Sequence, residues 1–220
     1  MSNSSDPYPP IERIKRITKE VIELIKQHKI KLLIITKSDI VTRDIDILKR
    51  FPSAVSISIT SFNKIISRKL EPAAPEPEKR FEALKLIKKN GIPVILRIDP
   101  IIPYLTEKDS IEILKEASFV DHVVFSTLKL KRDGYKRLIS VFPELKDKWY
   151  IEYFKRGSRI KNSFYLEKSK RISILQPLIE IANKIKKPFG LCREGLPFIA
   201  KSCDGSHLLK PKISFTNHQK

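Results

Sequence analysis

Four short polar segments are the first candidates for chemistry, because each directly follows an apolar, β-branched run of the sequence. They are residues 36–39 (Thr-Lys-Ser-Asp), 60–61 (Thr-Ser), 99–103 (Asp-Pro-Ile-Ile-Pro) and 126–129 (Ser-Thr-Leu-Lys). Hydroxyls, an ammonium and carbonyls brought around one opening would bind a polar, partly anionic ligand. A second interpretation stays open here: Ser38 or Asp39 simply caps the helix that follows, and Lys37 is solvated.

The runs that precede these segments have the length and composition of buried strands. They cover residues 31–36, 54–60, 92–98 and 120–126, and amphipathic helical patterns lie before and between them, one of them at 39–50. Strand and helix in alternation predict an α/β fold with a parallel sheet, right-handed crossovers and outer helices, either a (β/α) barrel or a doubly wound sheet. In both architectures ligands bind at the carboxyl ends of the strands, where the polar segments would meet.

The sequence is strongly basic. Its 220 residues contain 44 Lys and Arg against 25 Asp and Glu, a formal net charge of +19. A field of this sign attracts polyanions and anionic small molecules, so phosphate is the first partner to consider. The abundance of Ile, Lys and Glu is also typical of a thermophile, or of an AT-rich genome.

Several classes of protein are disfavoured. No apolar run is long enough to span a bilayer and the first residues lack the apolar stretch of a signal peptide, so we expect a cytoplasmic protein without a membrane partner. The four histidines are scattered, and no phosphate-binding P-loop, nucleophile elbow or His-Glu-x-x-His helix occurs. An enzyme with a conventional polar active site therefore ranks last among the hypotheses.

The composition changes near Trp149, which predicts a (β/α) core at residues 1–148 and a C-terminal extension at 149–220. The extension begins with basic residues interleaved with aromatic ones, and a helical pattern follows at 172–186. Cations on phosphates and rings stacked on bases would bind nucleic acid. The alternative is a solvated charged face above aromatic residues that belong to the core.

Five sequence blocks resemble one known family. In order along residues 2–130 they are SNSSDPYPPIE, ITKSDIVTRDIDIL, VSISIT, LEPAAPEPEKRFEALKLIKKNGIPV and the proline-rich PIIP turn. In this order and at these spacings they resemble the radical S-adenosylmethionine proteins grouped with spore photoproduct lyase, often labelled DNA repair photolyases. The resemblance implies an open, partial parallel (β/α) barrel that binds a 4Fe-4S cluster and S-adenosylmethionine. It also implies reductive cleavage of S-adenosylmethionine to a 5′-deoxyadenosyl radical, which abstracts hydrogen from a substrate.

The resemblance assigns cofactor-binding roles to six residues around the mouth of the barrel. They are Ser5, Asp6, Lys37, Ser58, Glu71 and Arg97. Lys37 would pair with the carboxylate of S-adenosylmethionine, for which an ammonium is a suitable point charge, and Ser58 would hydrogen-bond its ribose or amino-acid end. Ser5 and Asp6 would line the same mouth. The alternative for Ser58 is a small strand residue, and for Glu71 or Arg97 a buried ion pair.

The sequence departs from the family at the cluster ligands. Family members hold the cluster with a Cys-x3-Cys-x2-Cys loop upstream of the SSDPY block, and this sequence has no such loop. Three thiolates hold three irons of the cluster, so this chain alone should not build it. We therefore predict a fragment or a degenerate member that needs a cluster-bearing N-terminal segment in cis or in trans, with an exposed edge at the strand of residues 31–36. The alternative is a non-catalytic nucleic-acid-binding protein that uses the basic charge.

The hydrogen-donor cysteine of spore photoproduct lyase would fall near Asn3, so thymine-dimer repair itself is not expected. Both cysteines of this chain lie near the other end, where Cys203 opens the sequence CDGSH, the name of a 2Fe-2S family that also needs an upstream Cys-x-Cys pair. That pair is missing, but Cys192, Cys203 and His207 could hold a metal or an auxiliary cluster with one outside ligand. The segment also resembles the tail of some archaeal members of the radical family, and a metal-free role inside that fold is the alternative.

Overall fold

The computed structural model describes residue 1, residues 5–198 and residues 200–210. Its strands are β1 (Leu32–Thr36), β2 (Ser53–Ser58), β3 (Val94–Ile101), β4 (His122–Thr127), β5 (Ser158–Ile160), β6 (Ser163–Tyr165) and β7 (Phe189–Leu191). Its α-helices are α1 (Glu12–Lys15), α2 (Ile17–Gln27), α3 (Ile45–Leu48), α4 (Lys64–Leu70), α5 (Pro77–Lys89), α6 (Glu107–Glu116), α7 (Arg132–Val141), α8 (Lys146–Tyr150) and α9 (Lys168–Lys184). Short 3-10 turns occupy Asp39–Asp44, Pro143–Leu145 and Ser206–Leu208, and a π-helical turn occupies Ile151–Lys155.

Five strands form one parallel sheet in the order β1-β2-β3-β4-β7. The predicted α/β fold with a parallel sheet is therefore confirmed, and the four apolar runs of the sequence correspond to β1 to β4. The sheet is open in the described part of the chain, because β1 and β7 lie at its two ends. Since the strands are parallel, the carboxyl ends of β1 to β4 all lie at the same edge.

The two faces of the sheet are covered differently. One face packs against the surrounding helices and forms the main hydrophobic core. The opposite face, called the inner face below, has a small cluster of Ala54, Ile95 and Val124 that packs against C-terminal side chains such as Leu208. Gly205 makes this packing possible, because its φ is +88° and a Cβ there would lie 2.6 Å from Cδ1 of Ile95.

The helical pattern at 39–50 is split in the structure. Ser38 accepts a hydrogen bond from the backbone N–H of Ile40 (3.3 Å), and a 3-10 turn over Asp39–Asp44 follows before α3. Ser38 is thus a helix cap, as one of the two interpretations of this segment expected. None of the described helices is long and apolar enough to cross a membrane.

Residues from the proposed C-terminal extension share the sheet and the core. Strand β7 pairs with β4, and Trp149 is fully buried with its indole N–H donated to the carbonyl of Pro103 at 3.0 Å. Strands β5 and β6 form a separate antiparallel hairpin. The helical pattern at 172–186 corresponds to α9, which begins earlier, at Lys168.

Strand β1 is an end strand, as expected, and its outer side contacts the first residue. The amino group of Met1 donates to the carbonyl of Leu33 (2.5 Å), and the N–H of Ile35 donates to the carbonyl of Met1 (3.1 Å). These two bonds have the pattern of a parallel ladder. The backbone on the outer side of β1 therefore pairs with Met1 as it would with a residue of a parallel strand.

Candidate functional site

A cavity of about 550 Å³, called the first cavity below, opens at the carboxyl end of β1. Its polar lining includes Asp6, Lys37 and Glu71, and its apolar wall includes residues 72–75 of the loop between α4 and α5. The volume lies within the range of sites that bind small organic ligands. The cavity therefore lies at the edge of the sheet where a parallel α/β fold is expected to bind its ligand.

Asp6 fixes the backbone at the end of β1. Its Oδ1 accepts hydrogen bonds from the N–H of Tyr8 (2.9 Å) and the hydroxyl of Thr36 (2.6 Å), and its Oδ2 accepts one from the N–H of Lys37 (2.6 Å). Both carboxylate oxygens are thus engaged with the chain itself. Asp6 positions Lys37 at the cavity.

Glu71 holds the side chain of Lys37. Its Oε1 lies 2.8 Å from the Lys37 ammonium and accepts a hydrogen bond from the Thr60 hydroxyl (2.9 Å), while its Oε2 lies 2.5 Å from Nη1 of Arg80. Burial by itself raises the pKa of the Glu71 carboxyl, but the positive charges of Lys37 and Arg80 outweigh burial, so this pKa lies below its usual value. Glu71 is therefore ionised at neutral pH.

Arg80 supports this ion pair from inside the protein. It is fully buried and donates to the carbonyl of Ser58 (3.1 Å), the carbonyl of Pro75 (2.8 Å) and the hydroxyl of Ser67 (3.1 Å), in addition to Glu71. One guanidinium therefore joins the end of β2, helix α4 and the loop that walls the first cavity. The sequence analysis missed Arg80, although its spacing from Leu84 and Ile87 places it on the buried face of α5.

Lys37 retains donors for a ligand. An ammonium has three N–H donors, and in the contacts that the structure describes Lys37 uses one, on Glu71. Its side chain is 39% exposed and lines the first cavity. A ligand carboxylate at this point would complete the hydrogen bonding of the ammonium.

The structure places three of the six expected residues outside the first cavity. Ser58 and Arg97 are paired in register on adjacent strands and are buried, and Arg97 pairs with Asp99 at 2.8 Å. This pair matches the ion-pair alternative for Arg97. Ser5 is exposed and does not line the cavity either, and Asn3 lies outside the described residues.

The three residues expected as metal ligands are not gathered into a site. Cys203 is exposed and Cys192 is half-buried. The Nδ1 of His207 lies 2.7 Å from the hydroxyl of Ser202, and its ring packs edge-on against His122 with centroids 5.0 Å apart. No group of three or more His, Cys, Asp or Glu that could hold a metal ion occurs among residues 1, 5–198 and 200–210. His207 therefore belongs to the packing of the C-terminal segment under β4.

The site fits S-adenosylmethionine and does not fit an iron–sulfur cluster. An apolar wall beside an ammonium with donors to spare suits an adenosine that carries an amino-acid carboxylate. A 4Fe-4S cluster needs three thiolates, whereas the sequence contains two cysteines, Cys192 and Cys203, and both lie in the C-terminal segment. The described residues therefore line a cavity with an ammonium and an apolar wall and include no set of three thiolates.

An open parallel α/β sheet with a ligand cavity at the carboxyl end of its first strand defines a partial (β/α) barrel. The sequence model of the radical SAM superfamily matches residues 3–126, which is more than half of the chain. The chain belongs to the radical SAM superfamily.

Two relatives are similar to this chain over more than half of its length. The chain is 39% identical over 132 residues to an uncharacterized protein of Methanocaldococcus jannaschii, covering 60% of this chain and 50% of that protein. It is 24% identical over 178 residues to an uncharacterized protein of Acidianus two-tailed virus, covering 69% of this chain and 58% of the viral protein. The chain thus spans about half the length of the curated relatives it matches.

Solved structures share the fold. A mutant of spore photoproduct lyase with bound dinucleoside spore photoproduct aligns with a TM-score of 0.66 at 14% identity, covering 86% of this chain and 59% of that one. Streptococcus suis SuiB bound to S-adenosylmethionine aligns with a TM-score of 0.52 at 9% identity, covering 86% of this chain and 37% of that one. At these identities the likeness shows the fold alone.

Proposed function

We propose that this chain provides the S-adenosylmethionine-binding part of a radical enzyme related to spore photoproduct lyase. The observation that carries the proposal is the Lys37 ammonium, which Glu71 and Arg80 hold at the carboxyl end of β1 in a cavity of about 550 Å³. Superfamily membership supports the same cofactor. When bound beside a reduced cluster, S-adenosylmethionine supplies the 5′-deoxyadenosyl radical.

The residues of this chain bind and orient the cofactor. Lys37 pairs with the cofactor carboxylate, and Glu71 keeps the ammonium from turning into solvent. Residues 72–75 and Pro9, which line the first cavity, would cover the adenosine and shield it from water. Asp6 keeps the backbone at Lys37 in place through the bond to its N–H.

The cluster is supplied by another segment, in cis or in trans. This part of the proposal rests on the cysteine count of two and on the separation of Cys192 and Cys203 from the cavity. The outer side of β1, where Leu33 and Ile35 pair with Met1 as they would with a residue of a parallel strand, is the expected place for that segment.

Iron–sulfide reconstitution tests the proposal. The purified chain, incubated anaerobically with iron and sulfide, should show no 4Fe-4S absorption and should not cleave S-adenosylmethionine after reduction. Adding a polypeptide that contains a Cys-x3-Cys-x2-Cys loop of a spore photoproduct lyase, mixed or fused ahead of Met1, should restore both signals. A cluster spectrum together with cofactor cleavage from these 220 residues alone would contradict the need for a second segment.

Nucleic-acid binding is the second candidate function, and one surface favours it. Phe154 of the π-helical turn and Phe164 of β6 pack with ring centroids 4.5 Å apart, and Arg132 lies 5.7 and 5.8 Å from these centroids. Tyr150 is 44% exposed at the same cluster. Affinity for a single-stranded oligonucleotide should fall with added salt, with a log–log slope that counts the neutralised phosphates. Absence of binding at low salt would remove this candidate.

A further inference from the structure

A second cavity of about 610 Å³ lies beside the first. The two cavities share Lys37, Leu70, Glu71 and Pro72 as a common wall. Most of the remaining wall of the second cavity comes from the carboxyl ends of β3 and β4 and from helix α7, and Thr60 and the α4 residue Lys69 complete it. A molecule in the second cavity would therefore lie next to the cofactor proposed for the first.

The floor of the second cavity is apolar. Ile102, Leu130 and Phe142 line it, and each is buried to at least 97%. Side chains of this kind bind a ring or an aliphatic body by removing it from water. The floor thus selects a ligand with an apolar part.

Two lysines of this cavity carry a positive charge that no described ion pair neutralises. Lys69 and Lys131 are exposed, line the cavity and form no ion pair with any residue that the structure describes. The Lys69 ammonium lies 5.2 Å from the ring centroid of Phe142, over the apolar floor. Both lysines are therefore available to a ligand anion.

Two other cations of the second cavity are already paired, and a third, Lys37, lies in the wall shared with the first cavity, where the proposed function assigns it to the cofactor. The Lys129 ammonium donates to the hydroxyl of Ser126 (2.6 Å), the carbonyl of Cys192 (2.8 Å) and the carboxylate of Glu194 (2.6 Å), which uses all three of its donors. Arg137 pairs with Asp133 at 3.0 Å. Lys129 therefore fixes the wall, and Lys69 and Lys131 are the cations of this cavity that have neither an ion pair among the described residues nor a role at the cofactor.

We propose that the second cavity is the substrate site and that it takes an organic anion with an apolar body. The apolar body lies on the floor of Ile102, Leu130 and Phe142, and the anionic group meets Lys69 and Lys131. The role as a substrate site rests on the proposed function, because it requires the cofactor in the adjacent first cavity. The binding itself can be measured without the cofactor.

The only tryptophan of the chain reports on this cavity. Trp149 packs edge-on against Phe142 with centroids 6.3 Å apart, and the sequence contains one Trp, so an ¹⁵N-labelled sample has a single indole N–H resonance. The test titrates this resonance with phenyl phosphate, benzoate, phenol and inorganic phosphate. The test variant is Lys69→Met/Lys131→Met, and the matched control is Lys89→Met/Lys115→Met, which changes the net charge equally at two exposed lysines outside both cavities.

We expect phenyl phosphate to shift the indole resonance and to bind at least tenfold more tightly than phenol or inorganic phosphate. The Lys69→Met/Lys131→Met variant should lose at least tenfold in affinity, and the control variant should not change. A benzoate affinity within tenfold of that of phenyl phosphate would support a site for organic anions in general. A weaker benzoate affinity would support a site for phosphate esters in particular. A phenol affinity equal to that of phenyl phosphate would overturn the proposal. So would an unchanged affinity of the Lys69→Met/Lys131→Met variant for phenyl phosphate.

S-adenosylhomocysteine, titrated in the same samples, separates the two proposals. It should bind equally to the unmodified chain and to the Lys69→Met/Lys131→Met variant, because neither lysine lines the first cavity. If it binds to neither while phenyl phosphate still binds, the cofactor proposal fails and the anion site stands. If it binds to both and phenyl phosphate to neither, the anion site fails alone.

Discussion

Replacing Arg80 by methionine tests whether one buried guanidinium holds the wall of the first cavity. In the structure the Arg80 side chain is 1% exposed and contacts Glu71, Ser58, Pro75 and Ser67. Methionine fills much of the same volume but donates no hydrogen bond. The substitution therefore leaves Glu71, which is 8% exposed, with Lys37 as its remaining cationic partner.

The expected loss of stability is large. Removing one partner of a buried ion pair costs about 3–5 kcal/mol. Lys37 still partners Glu71 in this variant, but the carbonyls of Ser58 and Pro75 and the hydroxyl of Ser67 also lose their donor. At roughly 2–4 °C per kcal/mol for a chain of this size, the melting temperature should fall by about 6–20 °C. Thermal and urea unfolding followed by circular dichroism measure both quantities. The matched control is Arg68→Met on the exposed face of α4. Its free energy of unfolding should lie within about 0.5 kcal/mol of that of the unmodified chain.

A double variant separates the ion pair from general packing. Arg80→Met/Glu71→Met removes both buried charges, so it should be more stable than the sum of the single variants predicts, by about 1 kcal/mol or more. The reasoning would be refuted if the free energy of unfolding of Arg80→Met lay within about 0.5 kcal/mol of that of the unmodified chain. Additive effects of the two substitutions on this free energy would refute it as well.

Three further predictions concern pH and the C-terminal segment. The pKa of Glu71 is lower in the folded chain than its usual value of 4.5. Its contribution to stability is therefore complete above pH 4.5 and is lost as the pH falls through the lower folded value. Glu71→Gln should remove this acid dependence of the free energy of unfolding, measured with urea. Burial, followed by the charge of His207, lowers the pKa of His122 to about 4, so the folded chain should lose stability as the pH falls from the usual histidine value of 6.5 towards 4. His122→Leu should flatten that part of the profile, and an unchanged slope would count against the assignment. Gly205→Ala should lower the free energy of unfolding by about 1–3 kcal/mol, because Gly205 has a φ of +88° and the alanine Cβ would meet Ile95. An unchanged free energy of unfolding would show that this loop does not pack on the inner face.

Most of the sheet could be predicted from the sequence, because β1 to β4 are continuous apolar runs with clear helical patterns between them. Strand β7 could not, since Phe-Gly-Leu is three residues long and lies among glycines and prolines. The split of the 39–50 pattern could not be predicted either. Ser38 caps the segment, as the sequence allowed, but the spacing of apolar residues does not distinguish the 3-10 turn over Asp39–Asp44 from an α-helical start.

The candidate site could be predicted only in part. Asp6, Lys37 and Glu71 were expected at one mouth, and the structure brings all three to the first cavity. The contacts that hold them are long-range, such as the one between Arg80 and the carbonyl of Ser58, and residue spacing does not reveal them. The cations of the second cavity were hidden for the same reason, since Lys69 and Lys131 are distant in the sequence and line one cavity only in the folded chain.

The most direct test of the account is a comparison of two ligands on two forms of the chain. S-adenosylhomocysteine has the amino-acid carboxylate that Lys37 is proposed to bind, whereas 5′-methylthioadenosine lacks it, and isothermal titration measures both affinities. The account predicts that Lys37→Met lowers the affinity for S-adenosylhomocysteine at least tenfold and leaves the affinity for 5′-methylthioadenosine unchanged. Equal affinity of S-adenosylhomocysteine for both forms, or an equal loss for the two ligands, would contradict the role of Lys37 and with it the cofactor site.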